Sequence, residues 1–321
     1  MFGIRRFSSH ALARAIGLLK VYPKTKFSEK NVYILYGKKL KEKCGDDTQL
    51  SEVLFEMLDK GIFPNTICIN QMIQATLKTH LNIAIDLCEI AIQRKMANTM
   101  TYTLMIDGIA KSHLADKTLA WSLFQDAKAR SLVNHVTYGT IIGAIARDRK
   151  LNHSSLVLQV FEEAKNKHGD NLITHMNTLD ALALAESRKD EIAFKVLSET
   201  ISKFKLTDLS SDLSLLDLHG LSYGVVYFGL KKRCIDARDK TTEQATTLIC
   251  GKGLHSRSSL FNHPVKHAIL RVVQETQGVH GYEDLSNSGR YHFFIRCPQL
   301  FYTQSSLKLG SQPISKANRP Q

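Results

Sequence analysis

Between residues 66 and 202 the apolar positions recur at intervals of three and four, and they do so in paired segments. TMTYTLMIDGIAK (Thr99 to Lys111) returns as HVTYGTIIGAIAR (His135 to Arg147), with Tyr102 and Tyr138 36 residues apart. Weaker copies are TICINQMIQATLK (Thr66 to Lys78) and ITHMNTLDALALA (Ile173 to Ala185). Each is followed by a second amphipathic segment: IAIDLCEIAIQ, TLAWSLFQDAKA, SLVLQVFEEAKN and EIAFKVLSETIS. Leu119, Leu123 and Ala127, like Leu156, Val160 and Ala164, form one helical face, so both halves of a unit read as helices. A hairpin of roughly 35 residues cannot bury its apolar face alone, and such units stack into a solenoid.

After Asp208 the period stops. LSSDLS reads as a linker, and LLDLHGL (Leu215 to Leu221) as a short apolar strand that breaks at a glycine. SYGVVYFGLKKRCIDARDK predicts a helix capped by Ser222, TTLICGKGLHS a strand leaving through a glycine-rich loop, and HPVKHAILRVVQET a second helix with Pro264 near its start. GRYHFFIRC (Gly289 to Cys297) alternates as a final strand. The predicted fold is therefore mixed: an all-α helical-hairpin solenoid over residues 31–208, with four clear units and one degenerate one, then a small α/β sandwich over 209–298. Residues 1–30 form a basic leader, and 299–321, rich in Ser, Gln, Pro and Lys, a disordered tail.

Charge adds a partner class. A net charge of +13 over 321 residues favours a polyanion, for a globular protein most often nucleic acid. No apolar run reaches the length that spans a bilayer. The six cysteines (Cys44, Cys68, Cys88, Cys234, Cys250 and Cys297) are scattered without a CxxC pair, and are expected to be reduced and mostly buried. The leader carries Arg5, Arg6, Arg14, Lys20, Lys24 and Lys26, the adjacent Ser8 and Ser9 and no acid before Glu29, with Leu12, Ile16 and Leu19 on one helical face. That is the pattern of a mitochondrial transit peptide, with cleavage expected near Arg6 to Ser9 and a matrix address. A basic first helix of the mature protein is the competing reading.

With TYTLMIDGIAK and VTYGTII in register, residues 31–208 resemble the pentatricopeptide repeat (PPR) family. The tetratricopeptide signatures of nearly equal period, a Trp-Leu-Gly and a Pro, are missing. The resemblance implies single-stranded RNA read at about one base per repeat on a concave face. It also implies the readers: the residue after the Tyr-like position and the last residue of the unit. These are Asn70 with Asn98, Thr103 with Asn134, Gly139 with a partner near Asp170, and Asn177 with Asp208. Met100 and Val136 stand beside them as residues that could sandwich a base. The asparagines at these junctions also suit simple helix capping.

LDLHG, then CGKGLHS, PVKHAIL and NSGRYHFFI, resemble the small MutS-related (Smr) domain, with Cys250 where that family usually has Thr. The resemblance implies nucleic-acid binding and, in some members, metal-assisted nicking. Asp217 and His219 share a strand face, so the carboxylate could hold Mg²⁺ or another divalent cation while the imidazole moves a proton. Gly251 and Gly253 would let backbone amides approach a phosphate, with Lys252, His255 and Arg257 supplying charge. Against that stand Asp217 as a turn cap, His219 as a strand-end histidine and the glycines as a tight turn. His263, His267, His280 and His292 show no ligand spacing with the pair. Three functions follow: a mitochondrial RNA-binding factor in processing, stability or translation; a nicking endonuclease; or an adaptor for the mitochondrial ribosome or RNA-processing proteins.

Overall fold

In the computed structural model the described residues are 3–22, 30–43, 45–112, 118–148, 154–185, 190–209, 213–237, 244–251, 263–287 and 289–296. The chain divides into two compact units, Met1–Arg188 and Lys189–Gln321.

The first unit is helical throughout its described elements: α1 (Gly3–Val21), α2 (Lys30–Glu42), α3 (Asp47–Asp59), α4 (Thr66–Thr76), α5 (Leu81–Gln93), α6 (Thr99–Lys111), α7 (Thr118–Ala129), α8 (His135–Arg147), α9 (Ser154–His168) and α10 (Leu172–Leu184). The even-numbered helices α2 to α10 pack side by side in a row, and each of α2, α4, α6 and α8 also packs on the helix that follows it. Local sequence sets the starts of this row. Asn65, Asn98, Asn134 and Asn171 are N-caps whose side-chain oxygens accept backbone N–H groups of the first turn, and at Asn98 and Asn134 a Thr three residues on completes a capping box.

A second device is repeated through the unit. The hydroxyl of Tyr36 bonds Glu56, that of Tyr102 bonds Asp126, and that of Tyr138 bonds Glu163. Each acid also pairs with a cation four residues on: Lys60, Arg130 or Lys167. All three tyrosines are buried, at 0% exposure for Tyr102 and Tyr138, so the acid satisfies an otherwise stranded hydroxyl. Tyr36 gives α2 and α3, in the unit expected as degenerate, the same contact as α6–α7 and α8–α9.

Helix α1 packs on α3 and α5. Leu12, Ala15, Ile16 and Leu19 are buried to 2% exposure or less. Arg94 donates to the carbonyls of Leu19 and Tyr22 at the end of α1, at 3.0 and 2.7 Å, and stacks on Phe63. Tyr22 donates to the Leu58 carbonyl and Lys20 pairs with Asp86. The face expected for a transit helix is thus also a packing face.

The second unit holds α11 (Asp190–Phe204), β1 (Leu215–Asp217), α12 (Tyr223–Asp236), β2 (Gln244–Ile249), α13 (Pro264–Glu275), β3 (Val279–Glu283) and β4 (Arg290–Ile295). The division of units falls before residue 208, since α11 packs on α12, with Phe194 edge-on to Phe228 and Lys231 paired to Asp190. The sheet order is β1-β2-β4-β3, with β1 parallel to β2 and the other pairs antiparallel. Strand β3 joins β4 as a hairpin partner that the sequence reading did not foresee. One sheet face buries Leu216, Thr246, Leu248, Val279, Tyr291, Phe293 and Ile295. Arg233 of α12 bonds Thr246, and Lys266 of α13 pairs with Glu283, so both helices lie on that face.

Candidate nucleic-acid interface

Aligning the first-unit row on its N-caps and Tyr-like residues fixes a register that sequence matching left open. Asn70, Thr103 and Gly139 each stand five residues after a cap. The same step from Asn171 reaches Met176, not Asn177. His175 takes the Tyr-like place, fully buried, bonded to Asp170 and edge-on to Phe161. Met176 thus holds the place in α10 equivalent to Asn70, Thr103 and Gly139, and the cap of that helix, Asn171, is the residue next to Asp170. In the first unit of the row Gly37 follows Tyr36, in the place equivalent to Asn70, Thr103 and Gly139, a position the sequence reading missed. The recurring acid four residues before a base (Glu56–Lys60, Asp126–Arg130, Glu163–Lys167) was the signal that could have found it.

The reader positions lie in the seams between neighbouring helices. Thr101 donates to Asn70 Oδ1 at 2.8 Å, and Asn70 Nδ2 donates to Asn98 Oδ1 at 3.3 Å; Asn70 is only 9% exposed. Thr103 and Thr137 share a 3.0 Å hydrogen bond between hydroxyls. At Gly139 the missing side chain makes room for Asn177, whose amide donates to the Gly139 carbonyl at 2.8 Å. The caps are engaged through their oxygens alone: the NH₂ groups of Asn65, Asn98, Asn134 and Asn171 make no hydrogen bond among the described residues. Beside them runs an exposed aliphatic row, with one residue two places before each Tyr-like position: Ile34, Ile67, Met100, Val136 and Ile173, all 48–64% exposed. Met100 and Val136 thus belong to a longer exposed series. Asp208 is exposed and lies in the second unit.

The acids of the Tyr latches are held strongly ionised. Lys60, then Lys39 and Tyr36, lower Glu56 to about 2. At Glu163 burial works the other way, but hydrogen bonds from Lys128, Lys167 and Tyr138 outweigh it and bring the carboxyl to about 2. Asp126 is lowered likewise, with burial opposing and bonds from Tyr102 and Arg130 prevailing.

In the second unit, β1 and β2 run parallel, so their C-terminal ends open side by side. Asp217 is exposed and accepts the backbone N–H of His219 at 2.9 Å, which makes it the cap of the turn. Leu216 and Leu218 are fully buried on the opposite side. Gly251 has φ +72, and a Cβ there would lie 2.6 Å from His219 Cε1. The imidazole is therefore seated against the start of the glycine-rich loop. Gly251→Ala is expected to cost about 1–2 kcal/mol of backbone strain and to displace the ring, read as a lower melting temperature with altered His219 imidazole resonances. Lys252, Gly253, His255 and Arg257 lie outside the described residues. Burial pushes the Cys250 thiol up to about 12, which keeps it protonated at neutral pH. Cys68, Cys88 and Cys234 are buried and in no disulfide, as their scatter suggested.

A divalent cation finds a thin donor set here. Among the described residues no group of three potential ligands includes Asp217, and one of its oxygens already caps the turn. Among the described residues, those around Asp217 do not by themselves build a protein-held metal centre.

No protein-family model matches the chain, and no curated protein matches it. Two solved structures are similar to it: the pentatricopeptide repeat protein PPR10 in complex with an 18-nt psaJ RNA element, and a triple cysteine-to-serine variant of PPR10 with the same element. Each gives a TM-score of 0.46 at 14% identity over 95% of this chain. The chain spans 37% of the length of either.

Proposed function

We propose that the chain is a mitochondrial protein of pentatricopeptide type that binds single-stranded RNA along the α2–α10 row and acts in RNA processing, stability or translation. The observation that carries this is the fivefold series of exposed aliphatic side chains, beside asparagine caps with unspent NH₂ donors. A flat base fits between two such aliphatic groups, and an amide N–H matches the carbonyl or ring-nitrogen acceptors on its edge. Asn70 and Thr103 contribute less as readers than as seam bonds, so discrimination rests more on Asn98 and Asn134. The second unit, of Smr type in this reading, presents Asp217, His219 and Gly251 at one strand end.

Anisotropy of labelled single-stranded RNA across a salt series tests the reading. Affinity should fall steeply with salt. Met100→Asp combined with Val136→Asp should weaken binding by at least about tenfold while leaving the melting temperature nearly unchanged, since both positions face solvent. No binding at low salt would sink the proposal.

The seating of His219 on Gly251 favours a second reading, in which His219 moves a proton at a scissile phosphodiester. Comparing RNA cleavage with and without Mg²⁺ for the parent chain, Asp217→Ala and His219→Ala decides it. Binding without cleavage removes the endonuclease reading.

A further inference from the structure

The sheet of the second unit buries one face and leaves the other largely to solvent. On the open face, β4 presents Arg290, His292, Phe294 and, just past its end, Arg296, since alternate residues share a side. Arg296 still belongs to the ladder, its N–H donating to the Gly278 carbonyl. Register places Tyr282 of β3 beside His292, and His280 beside Phe294. On the other flank Thr247 of β2 pairs with His292, and Leu215 of β1 with Thr247. Tyr282 is 59% exposed and Leu215 55%. The rings of Tyr282 and Phe294 are stacked at 5.8 Å with 24° between their planes, and His292 sits 5.1 Å from Tyr282.

We infer that this open face is a stacking platform for unpaired RNA bases, with Arg290 and Arg296 placed for the phosphates at either end. The inference deepens the single-stranded RNA reading above and rests on it. Nearly parallel rings exposed on a sheet offer π surfaces to successive bases, and a four-stranded sheet of this kind accommodates about two or three. The two arginines bracket the rings about 20 Å apart, six residues at about 3.4 Å each. The nearby acids are engaged: Asp217 caps its own turn, Asp284 accepts from Ser286 and faces His292, and Glu283 pairs with Lys266 on the other side of the sheet. Arg290 pairs across the ladder with Ile249, next to Asp217. A strand stacked on the rings would thus run its backbone toward the His219–Gly251 turn.

The test uses the full chain with a labelled single-stranded oligouridylate, combining anisotropy with ultraviolet crosslinking and peptide mapping. Tyr282→Ala should weaken binding about fivefold or more, Tyr282→Phe should retain it, and crosslinks should map to the β3 and β4 peptides. Tyr282 is exposed, so its alanine variant should melt close to the parent, and duplex RNA should compete poorly. Unchanged affinity in Tyr282→Ala, with crosslinks confined to α4, α6 and α8, would overturn the platform and leave the repeat reading standing. Crosslinks confined to β3 and β4 would support the platform and sink the repeat reading. If Tyr282→Ala instead abolishes self-association in sedimentation and leaves RNA affinity untouched, the face joins copies of the chain and the inference fails.

Discussion

A chain lacking residues 1–22 is expected to lose the cooperative unfolding transition of its first unit, or to melt at least about 10 °C lower than the full chain. Leu12, Ile16 and Leu19 are each buried to 2% exposure or less, and burying such a side chain stabilises by about 1.5–3 kcal/mol. Three of them amount to roughly 5–9 kcal/mol as an upper figure, comparable with the whole stability of a domain. Removal would also bare the surfaces of α3 and α5 that α1 covers, and would leave Arg94 without the Leu19 and Tyr22 carbonyls. Circular dichroism melts of the two chains check this. Near-identical melts would mean that α1 contributes no packing energy. The same observation bears on the leader. A chain shortened only as far as Ser9 would keep Leu12, Ile16 and Leu19, whereas one shortened beyond Val21 would lose them.

Acid should unfold the first unit well above the pH at which its latch carboxylates protonate in the native fold. Glu56 and Glu163 are both held at about 2, and Asp126 below its ordinary value. In the unfolded chain a glutamate titrates near 4.5. A carboxyl with a depressed native pKa adds stability that is fully present above the unfolded value and lost as pH falls toward the native one. The window is thus about pH 4.5 down to about 2. For Glu163, 23% exposed, that fall corresponds to roughly 3 kcal/mol at about 1.4 kcal/mol per pH unit, before solvent screening reduces it. Denaturant midpoints of the parent should drop steadily from pH 5 to pH 3, and Glu163→Gln should flatten that slope while lowering stability at neutral pH. A parent whose midpoints hold constant across the same range would show that the latches carry no linkage.

The latches also explain what could be read in advance. Helical hairpins were legible because their apolar positions repeat with the helix period, and asparagines at the unit junctions announced the caps. The latch pairs were written in the chain too, as Glu56–Lys60, Asp126–Arg130 and Glu163–Lys167, but each closes on a tyrosine 20 to 25 residues earlier. Strand β3 escaped because VHGYE has one strongly apolar residue, and its alternate positions face the open side.

The sequence by itself determined the helical units, their caps, the strand that breaks at Gly220 and the excess of positive charge, since all of these follow from local periodicity and residue chemistry. Only the tertiary structure decided that Asn177 packs against Gly139, that the basic leader helix packs on α3 and α5, that Asn70 is tied into a seam, and that His219 meets Gly251. Each of these depends on which faces approach one another across dozens of residues. A pattern of three and four says that a helix has an apolar side, and it says nothing about what that side will meet.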